Sequence, residues 1–165
     1  MFLVHSKWSF GLLISFALIS SLVFAGSFSN GDKSFQKVDY QTALKILEPM
    51  AQEGNATAQE RLGEMYMKGW GVTKDSAEGM KWLHKSAEQW NVSAIIELGR
   101  IYEVGDGVEQ DYAEAYFWNI ISPIEHSRIH TVSNHLSPEK KEESEKRARK
   151  WQRDHAAFGN DPIQN

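Results

Sequence analysis

At 165 residues, the chain is long enough for one domain with a hydrophobic core and too short for two ordinary domains. Its 18 basic and 22 acidic side chains give a formal net charge of −4, which argues against nucleic acid or an anionic membrane surface as the main partner. The chain has no cysteine, which excludes a disulfide framework, a lipoprotein cysteine and a thiolate site.

The first 25 residues have the layout of a secretory signal. The stretch MFLVHSKWSFGLLISFALISSLVFA contains a single lysine, then a largely apolar run, with Val23 and Ala25 at the −3 and −1 positions of a cleavage site. The apolar run is shorter than the roughly 20 residues of a membrane-spanning helix, which argues against the alternative of an uncleaved anchor. The sequence therefore predicts cleavage near Ala25 and a periplasmic or secreted mature protein. It also predicts that residues 26–38, rich at first in serine, glycine and asparagine, form a flexible N-terminal segment.

Residues 39–110 consist of two copies of one 36-residue unit. Aligning residues 39–74 with residues 75–110 gives identity at 12 of 36 positions, against roughly two expected by chance, and this is typical of a repeat protein. A third, partial unit begins at Asp111 and extends to about residue 136. The identical pairs are Asp39/Asp75, Lys45/Lys81, Leu47/Leu83, Ala51/Ala87, Asn55/Asn91, Ala58/Ala94, Leu62/Leu98, Gly63/Gly99, Tyr66/Tyr102, Gly69/Gly105, Gly71/Gly107 and Val72/Val108.

Each unit is predicted to contain two helices. In the first unit, apolar residues recur at helical spacing over residues 43–51 and again over residues 58–66. Asn55 and Asn91 precede the second helix of their units, where an asparagine side chain caps the free backbone amides.

The second helix of each unit carries a Leu-Gly pair. We predict that Leu62 and Leu98 are buried between the helices of their units. Gly63 and Gly99 lie in mid-helix, where a glycine costs up to about 1 kcal/mol. Close approach of the paired helix would compensate for this cost.

Two loops, GWGVTKD and GDGVEQD, lie one repeat interval apart. A dinucleotide-binding loop follows a strand and has a third glycine, whereas these loops follow a helix and have no third glycine. We interpret Gly69 and Gly105 as left-handed residues that end the second helix of each unit. Asp75 and Asp111 are predicted to cap the helix that follows. The loops therefore indicate helix boundaries, not a phosphate site.

The pattern A-x-x-x-L-G-x-x-Y-x-x-G-x-G-V-x-x-D occurs twice, from Ala58 to Asp75 and from Ala94 to Asp111. It resembles the Sel-one-like repeat family, a relative of the tetratricopeptide repeat, and the resemblance covers roughly residues 39–123. The resemblance implies an all-α fold, a short right-handed α-solenoid of helix-turn-helix repeats with a C-terminal capping helix. It also implies protein binding, often in bacterial envelopes or in signalling and quality-control assemblies, and the family has no shared catalytic residues.

The array is predicted to end early. The third unit, residues 111–136, loses the L-G-x-x-Y signature. A final helix, residues 138–158, is predicted to cover the open end of the array, and residues 159–165 form a tail. The repeat domain would then span residues 39–158.

Trp90 departs from the family pattern. It stands where the family usually has the glycine that closes the first helix, as Gly54 does in the first unit. A tryptophan cannot cheaply adopt a left-handed conformation. We therefore expect Trp90 to lie on the surface, or Asn91 to change its capping role.

No arrangement of residues predicts a metal, a cofactor or a catalytic group. His126 and His130 would share a helix face, but a third ligand at His135 would require the helix to bend or stop. We interpret the three as scattered surface or interface histidines. Two S-x-x-K matches lack the K-T-G element of serine enzymes that recognise penicillin.

We predict an exported, non-catalytic scaffold that binds another protein or peptide. The alternative is a periplasmic immunity-type inhibitor that neutralises a toxin or an enzyme, a role that some small exported members of this family play. Tryptophan is enriched at binding hot spots, and the first helices of such units line a concave wall that commonly binds partners. The predicted partner-binding residues are Trp70, Trp90, Lys81, Lys85, Lys45 and Tyr116.

Overall fold

The computed structural model describes residues 39–124 and 127–155. The predicted signal, flexible segment and tail lie outside these ranges, as do the last three residues predicted for the capping helix. The described residues form seven helices and no strand. The helices are α1 (Tyr40–Gln52), α2 (Ala56–Lys68), α3 (Ser76–Ala87), α4 (Val92–Val104), α5 (Tyr112–Ile121), α6 (Ser127–Ser133) and α7 (Pro138–Asp154).

Helices that follow one another along the chain pack together. α1 packs on α2, α2 on α3, α3 on α4 and α4 on α5, and α5 also packs on α6 and α7. This order of contacts confirms the predicted all-α solenoid of helix-turn-helix units. The helix pairs are α1 with α2, α3 with α4, and α5 with the short α6. α7 packs on the last pair as a C-terminal capping helix.

Helix ends lie where the asparagines and the glycine loops predict them. The side chains of Asn55, Asp75 and Asp111 each accept a hydrogen bond from the backbone amide three residues further on, at 2.9, 3.0 and 3.1 Å. Gly69 and Gly105 end α2 and α4 in the left-handed conformation, with φ of 73° and 74°. These local contacts satisfy backbone groups that would otherwise lack partners at the helix ends.

The mid-helix glycine of the first unit allows two helices to touch. A Cβ atom at Gly63 in α2 would lie 3.0 Å from the carbonyl oxygen of Gly79 in α3, and one at Gly79 would lie 2.9 Å from that of Gly63. Because neither position has room for a methyl group, the backbones of α2 and α3 pack directly. The predicted close approach is therefore present, and the approaching helix is the first helix of the next unit.

Apolar side chains between the helices form the core. Leu62 and Leu98 are almost completely buried, as predicted. Leu62 packs with residues of α1, α2 and α3, whereas Leu98 belongs to a larger cluster that reaches α7. The buried members of this larger cluster are Met67, Met80, Leu83, Ala87, Ala94, Ile95, Leu98, Ile101, Phe117, Trp118, Ile121 and Ala148.

Trp90 does adopt the left-handed conformation, with φ of 62°, and is the one non-glycine residue with positive φ among residues 39–124 and 127–155. Asn91 keeps its capping role. The indole N–H of Trp90 donates to the carbonyl oxygen of His155 at 2.7 Å, and its ring packs edge-to-face on Trp151 at 4.9 Å. The expectation that Trp90 would lie on the surface or that Asn91 would change its role is therefore wrong. Packing against the end of α7 offsets a backbone cost of about 1–2 kcal/mol.

Two substitutions at Trp90 are expected to separate backbone strain from packing. Trp90→Ala should lower the free energy of unfolding by about 2 kcal/mol or more, because it removes the contacts with α7 and keeps the strained backbone. Trp90→Gly loses the same contacts but relieves the strain, so it should be about 1 kcal/mol more stable than Trp90→Ala. Urea unfolding of both variants measures the difference. Equal stability of the two would contradict the assignment of strain.

Candidate functional site

The predicted binding residue Trp70 lies in the loop after α2. Its side chain is 41% exposed and stacks on Tyr40 at the start of α1, with ring centroids 5.5 Å apart and planes 19° from parallel. A hydrogen bond from Gln41 to the carbonyl oxygen of Gly71 also ties this loop to α1. Trp70 therefore presents an open aromatic face on a loop that is held in place.

The predicted lysines lie on exposed parts of α1 and α3. Lys45 is exposed on α1. Lys81 pairs with Glu78 one turn earlier, at 3.1 Å. The ammonium group of Lys85 lies 4.2 Å from the ring centroid of Trp82, which is the geometry of a cation–π contact. The structure thus brings Lys81 and Lys85 together on one face of α3.

Tyr116 does not belong to an open surface. It is only 7% exposed, and it packs in a cluster with Ala115 of α5 and Val132 of α6. Its hydroxyl group donates to a carboxylate oxygen of Glu145 in α7, at 3.3 Å. The prediction that Tyr116 faces a partner is therefore wrong, because α6 and α7 pack over the third unit.

A groove of about 430 Å³ lies between α3, the end of α4 and the loop that leads into α5. α3 contributes residues at helical spacing to one wall, and α4 and the loop form the other. The lining residues are Ala77, Met80, His84, Tyr102, Val108, Glu109, Gln110 and Asp111. No sequence pattern described above predicts this groove. The spacing of Ala77, Met80 and His84 along one side of α3 is a signal for one wall, but the opposite wall comes from the end of the same unit, more than 15 residues further along the chain.

Buried and acidic surroundings shape the chemistry of the groove. Burial lowers the pKa of His84, against the opposing effect of Glu88 and Glu114, so the imidazole is neutral near pH 7. Its Nε2 atom lies 3.5 Å from the hydroxyl oxygen of Tyr102. Burial raises the pKa of Tyr102, as do the carboxylates of Glu114 and Asp111, whereas Arg147 lowers it. Carboxylates therefore dominate the charges that act on both rings.

An ion network joins the end of α2 to the loop after α4 in the next unit. Asp106 accepts from Lys68 of the preceding unit and from Arg100 of α4, each at 2.9 Å. Hydrogen bonds from Arg100 and then Lys68 lower the pKa of Asp106 to about 2. Because each member has a partner, this network is explained as a contact between units.

Glu60 in α2 is the most buried carboxyl group among the described residues, at 4% exposure. Burial is the main cause that raises its pKa to about 7. Glu64 and Glu97 raise it further, whereas Arg61, whose Nε atom lies 3.4 Å away, lowers it. A perturbed carboxyl group is often part of an active site, but here burial and neighbouring charges account for the shift. In the second unit, Ile96 takes the equivalent position.

Glu60→Gln is expected to stabilise the fold in a pH-dependent way. The folded-state pKa of Glu60 is raised from 4.5 to about 7, so the folded protein binds the proton more tightly and loses stability as pH rises from 4.5 to 7. Replacement by the neutral amide should raise the free energy of unfolding by about 1–3 kcal/mol at pH 8 and change it little at pH 4. Urea unfolding at the two pH values measures this. Glu64→Gln is the control, and an equal effect of both variants at pH 8 would contradict the assignment.

Histidines and carboxylates form no cluster of three that could hold a metal ion within residues 39–124 and 127–155. His130 is exposed, and His135 is exposed and stacks on Tyr112 at 4.1 Å. His126, the third predicted member of this set, lies outside the described residues. None of the described helices is both long and apolar enough to cross a bilayer.

Comparison with known proteins identifies the repeats. The Sel1 repeat family matches residues 25–55, 56–89 and 92–118. The last two matched segments begin at or close to the second helices of the units defined above, so the family boundaries are displaced by half a unit. The first matched segment includes residues that the structure does not describe. No curated protein sequence matches the chain.

Several solved structures are similar to this chain, among them two Sel1-type repeat proteins. One is a protective antigen of uropathogenic Escherichia coli strains with an SLR fold, at a TM-score of 0.68 and 25% identity. That likeness covers 76% of this chain and 29% of the antigen. The other is a Sel1 repeat protein from Oxalobacter formigenes, at a TM-score of 0.54 and 30% identity, covering 74% of this chain and 51% of that protein. The chain thus spans about a third and about half of the lengths of these proteins.

Sel1 repeats form a protein-interaction scaffold and are generally non-catalytic. The three matched segments together cover more than half of the chain. The chain therefore belongs to the Sel1 repeat family.

Proposed function

We propose that this protein is an exported, non-catalytic scaffold that binds a partner protein through the exposed face of α3 and the groove beside it. The observation that carries the proposal is the open groove between the two helices of the second unit, which extends to Asp111 at the start of the third unit. The exposed residues on its walls include Ala77, Glu109 and Asp111. None of them belongs to a core cluster of the solenoid. Open grooves of this kind suit recognition of a peptide or a loop.

Two further features support a binding surface on this part of the molecule. Lys81 and Lys85 lie side by side over Trp82, and Trp70 is open on the loop that precedes α3. An aromatic anchor beside fixed charges is a common composition for an interface hot spot. We assign these side chains to contacts with the same partner.

Capture of the partner with the full chain as bait, followed by affinity measurements on variants, tests the proposed function. Trp70→Ala should weaken binding by about 2 kcal/mol if Trp70 is a hot spot, while the loss of its stacking on Tyr40 should cost the fold no more than about 1 kcal/mol. Lys81→Glu together with Lys85→Glu should mainly slow association and change its salt dependence. Lys140→Glu on the exposed face of α7 is the control. Unchanged binding by all of these variants would refute the proposed surface.

Export is a separate part of the proposal and rests on the layout of residues 1–25. Intact-mass measurement of the protein from its native compartment tests it. Loss of residues 1–25 is the expected result. Recovery of the full 18.8 kDa chain in the soluble envelope fraction would refute cleavage.

A further inference from the structure

Resting on the proposed function, we propose that the groove between α3 and the loop before α5 binds an extended, positively charged segment of the partner, with an apolar side chain of that segment seated in the groove. The proposal follows from three properties of the groove. These are its apolar floor, its acidic rim and the engagement of the nearby basic side chains.

The floor of the groove can hold an apolar side chain. Met80 is buried in the main core cluster, and Val108 packs against the same cluster. Ala77 is exposed at the start of α3 and leaves the groove open beside them. In an extended segment, successive side chains point to opposite sides, so one apolar side chain can enter the groove while a side chain two residues away lies on the same side and reaches the rim.

The rim of the groove is acidic. Glu109 and Asp111 are both exposed, and neither forms an ion pair with another residue in the described part of the chain. One carboxylate oxygen of Asp111 caps α5 by accepting from the amides of Ala113 and Glu114. Asp111 also interacts electrostatically with Arg147, so the carboxylate of Glu109 is the one more available to a cation.

Basic side chains of the neighbouring helices do not neutralise this rim. Lys81 pairs with Glu78, and Lys85 lies over Trp82. Arg100 pairs with Glu97 and with Asp106 in the loop after α4. Arg147 of α7 pairs with Glu114 at 2.6 Å. Since these cations are engaged, charge complementarity favours a lysine or an arginine from the partner.

Fluorescence anisotropy with two labelled peptides tests the inference on the full chain. The basic probe is GSKLFKSG and the matched acidic probe is GSELFESG, which keep the same apolar residues. We expect the basic probe to bind and the acidic probe to bind at least about tenfold more weakly, with the difference reduced by high salt. Equal affinities, or no binding of the basic probe at about 1 mM protein, would overturn the inference.

Variants of the protein test whether the probe binds in the groove. Glu109→Lys should weaken binding of the basic probe about fivefold or more, because an attraction becomes a repulsion. Glu143→Lys, the same change at an exposed position of α7, should alter it less than about twofold. Ala77→Trp should fill the groove and abolish binding, with the thermal melt confirming that the variant is folded. Binding that survives both Glu109→Lys and Ala77→Trp would overturn the inference.

The captured partner separates this inference from the proposed function. If the partner binds Glu109→Lys and Ala77→Trp normally but loses affinity for Trp70→Ala, the scaffold function stands and the groove inference is wrong. If the partner binds every one of these variants with unchanged affinity, the proposed surface is wrong as well.

Discussion

A chain that ends at Ser137 is expected to aggregate or to unfold without cooperativity, because it lacks α7. Ala148 of α7 is fully buried in the main core cluster with Phe117 and Trp118 of α5. Arg147 pairs with Glu114 at 2.6 Å and lies over the ring of Phe117 at 4.7 Å. Truncation would expose this side of α5, and terminal capping elements are what keep repeat arrays soluble.

Circular dichroism, a thermal melt and size-exclusion chromatography measure the effect of the truncation. The matched control is a chain that ends at His155, which keeps the whole of α7 and should melt cooperatively. A protein ending at Ser137 that keeps its remaining helices, melts cooperatively and stays monomeric would show that α7 is dispensable.

Leu98→Ala is expected to lower the free energy of unfolding by about 2–5 kcal/mol. Leu98 has no exposed surface and belongs to the cluster that joins α4 to α3, α5 and α7. The substitution leaves a cavity at the junction between units, and in a repeat protein such junctions carry much of the stability. Urea unfolding measures the change.

The control for Leu98→Ala lies on the same helix. Val104 is 56% exposed, so Val104→Ala should change the free energy of unfolding by no more than about 0.5 kcal/mol. A loss of less than about 1 kcal/mol for Leu98→Ala would mean that the site collapses around the cavity, contrary to the dense packing expected there.

Features that depend on nearby residues could be predicted from the sequence. The caps at Asn55 and Asp75 satisfy amides only three residues away, so the local pattern determines them. Leu62 and Leu98 are buried because the helical spacing of apolar residues defines the core face. The repeat period then extends each local conclusion from one unit to the next.

Features that depend on residues distant in the sequence could not be predicted from the sequence alone. Trp90 tolerates a left-handed backbone because residues of α7 hold its side chain, and no local pattern reveals that partner. The groove has no local signature because one wall comes from α3 and the other from the end of α4 and the loop after it, which are distant from α3 in the sequence. The burial of Tyr116 is a different case, because the repeat period makes it equivalent to Met80, which is also 7% exposed. The period therefore indicates a core position, and the prediction of an open position did not use it.

The contact between Trp90 and the end of α7 has a consequence for the order of folding. It joins residues 65 positions apart, whereas hydrogen bonds between neighbouring units such as Ser86 to Ala56 and Lys68 to Asp106 join residues 30 and 38 positions apart. Closing a longer loop costs more chain entropy, and distant contacts form more slowly. We therefore expect the repeat units to assemble first and the last turn of α7 to dock last. Trp90 would therefore keep a strained or open conformation until the end of α7 has been synthesised and has docked.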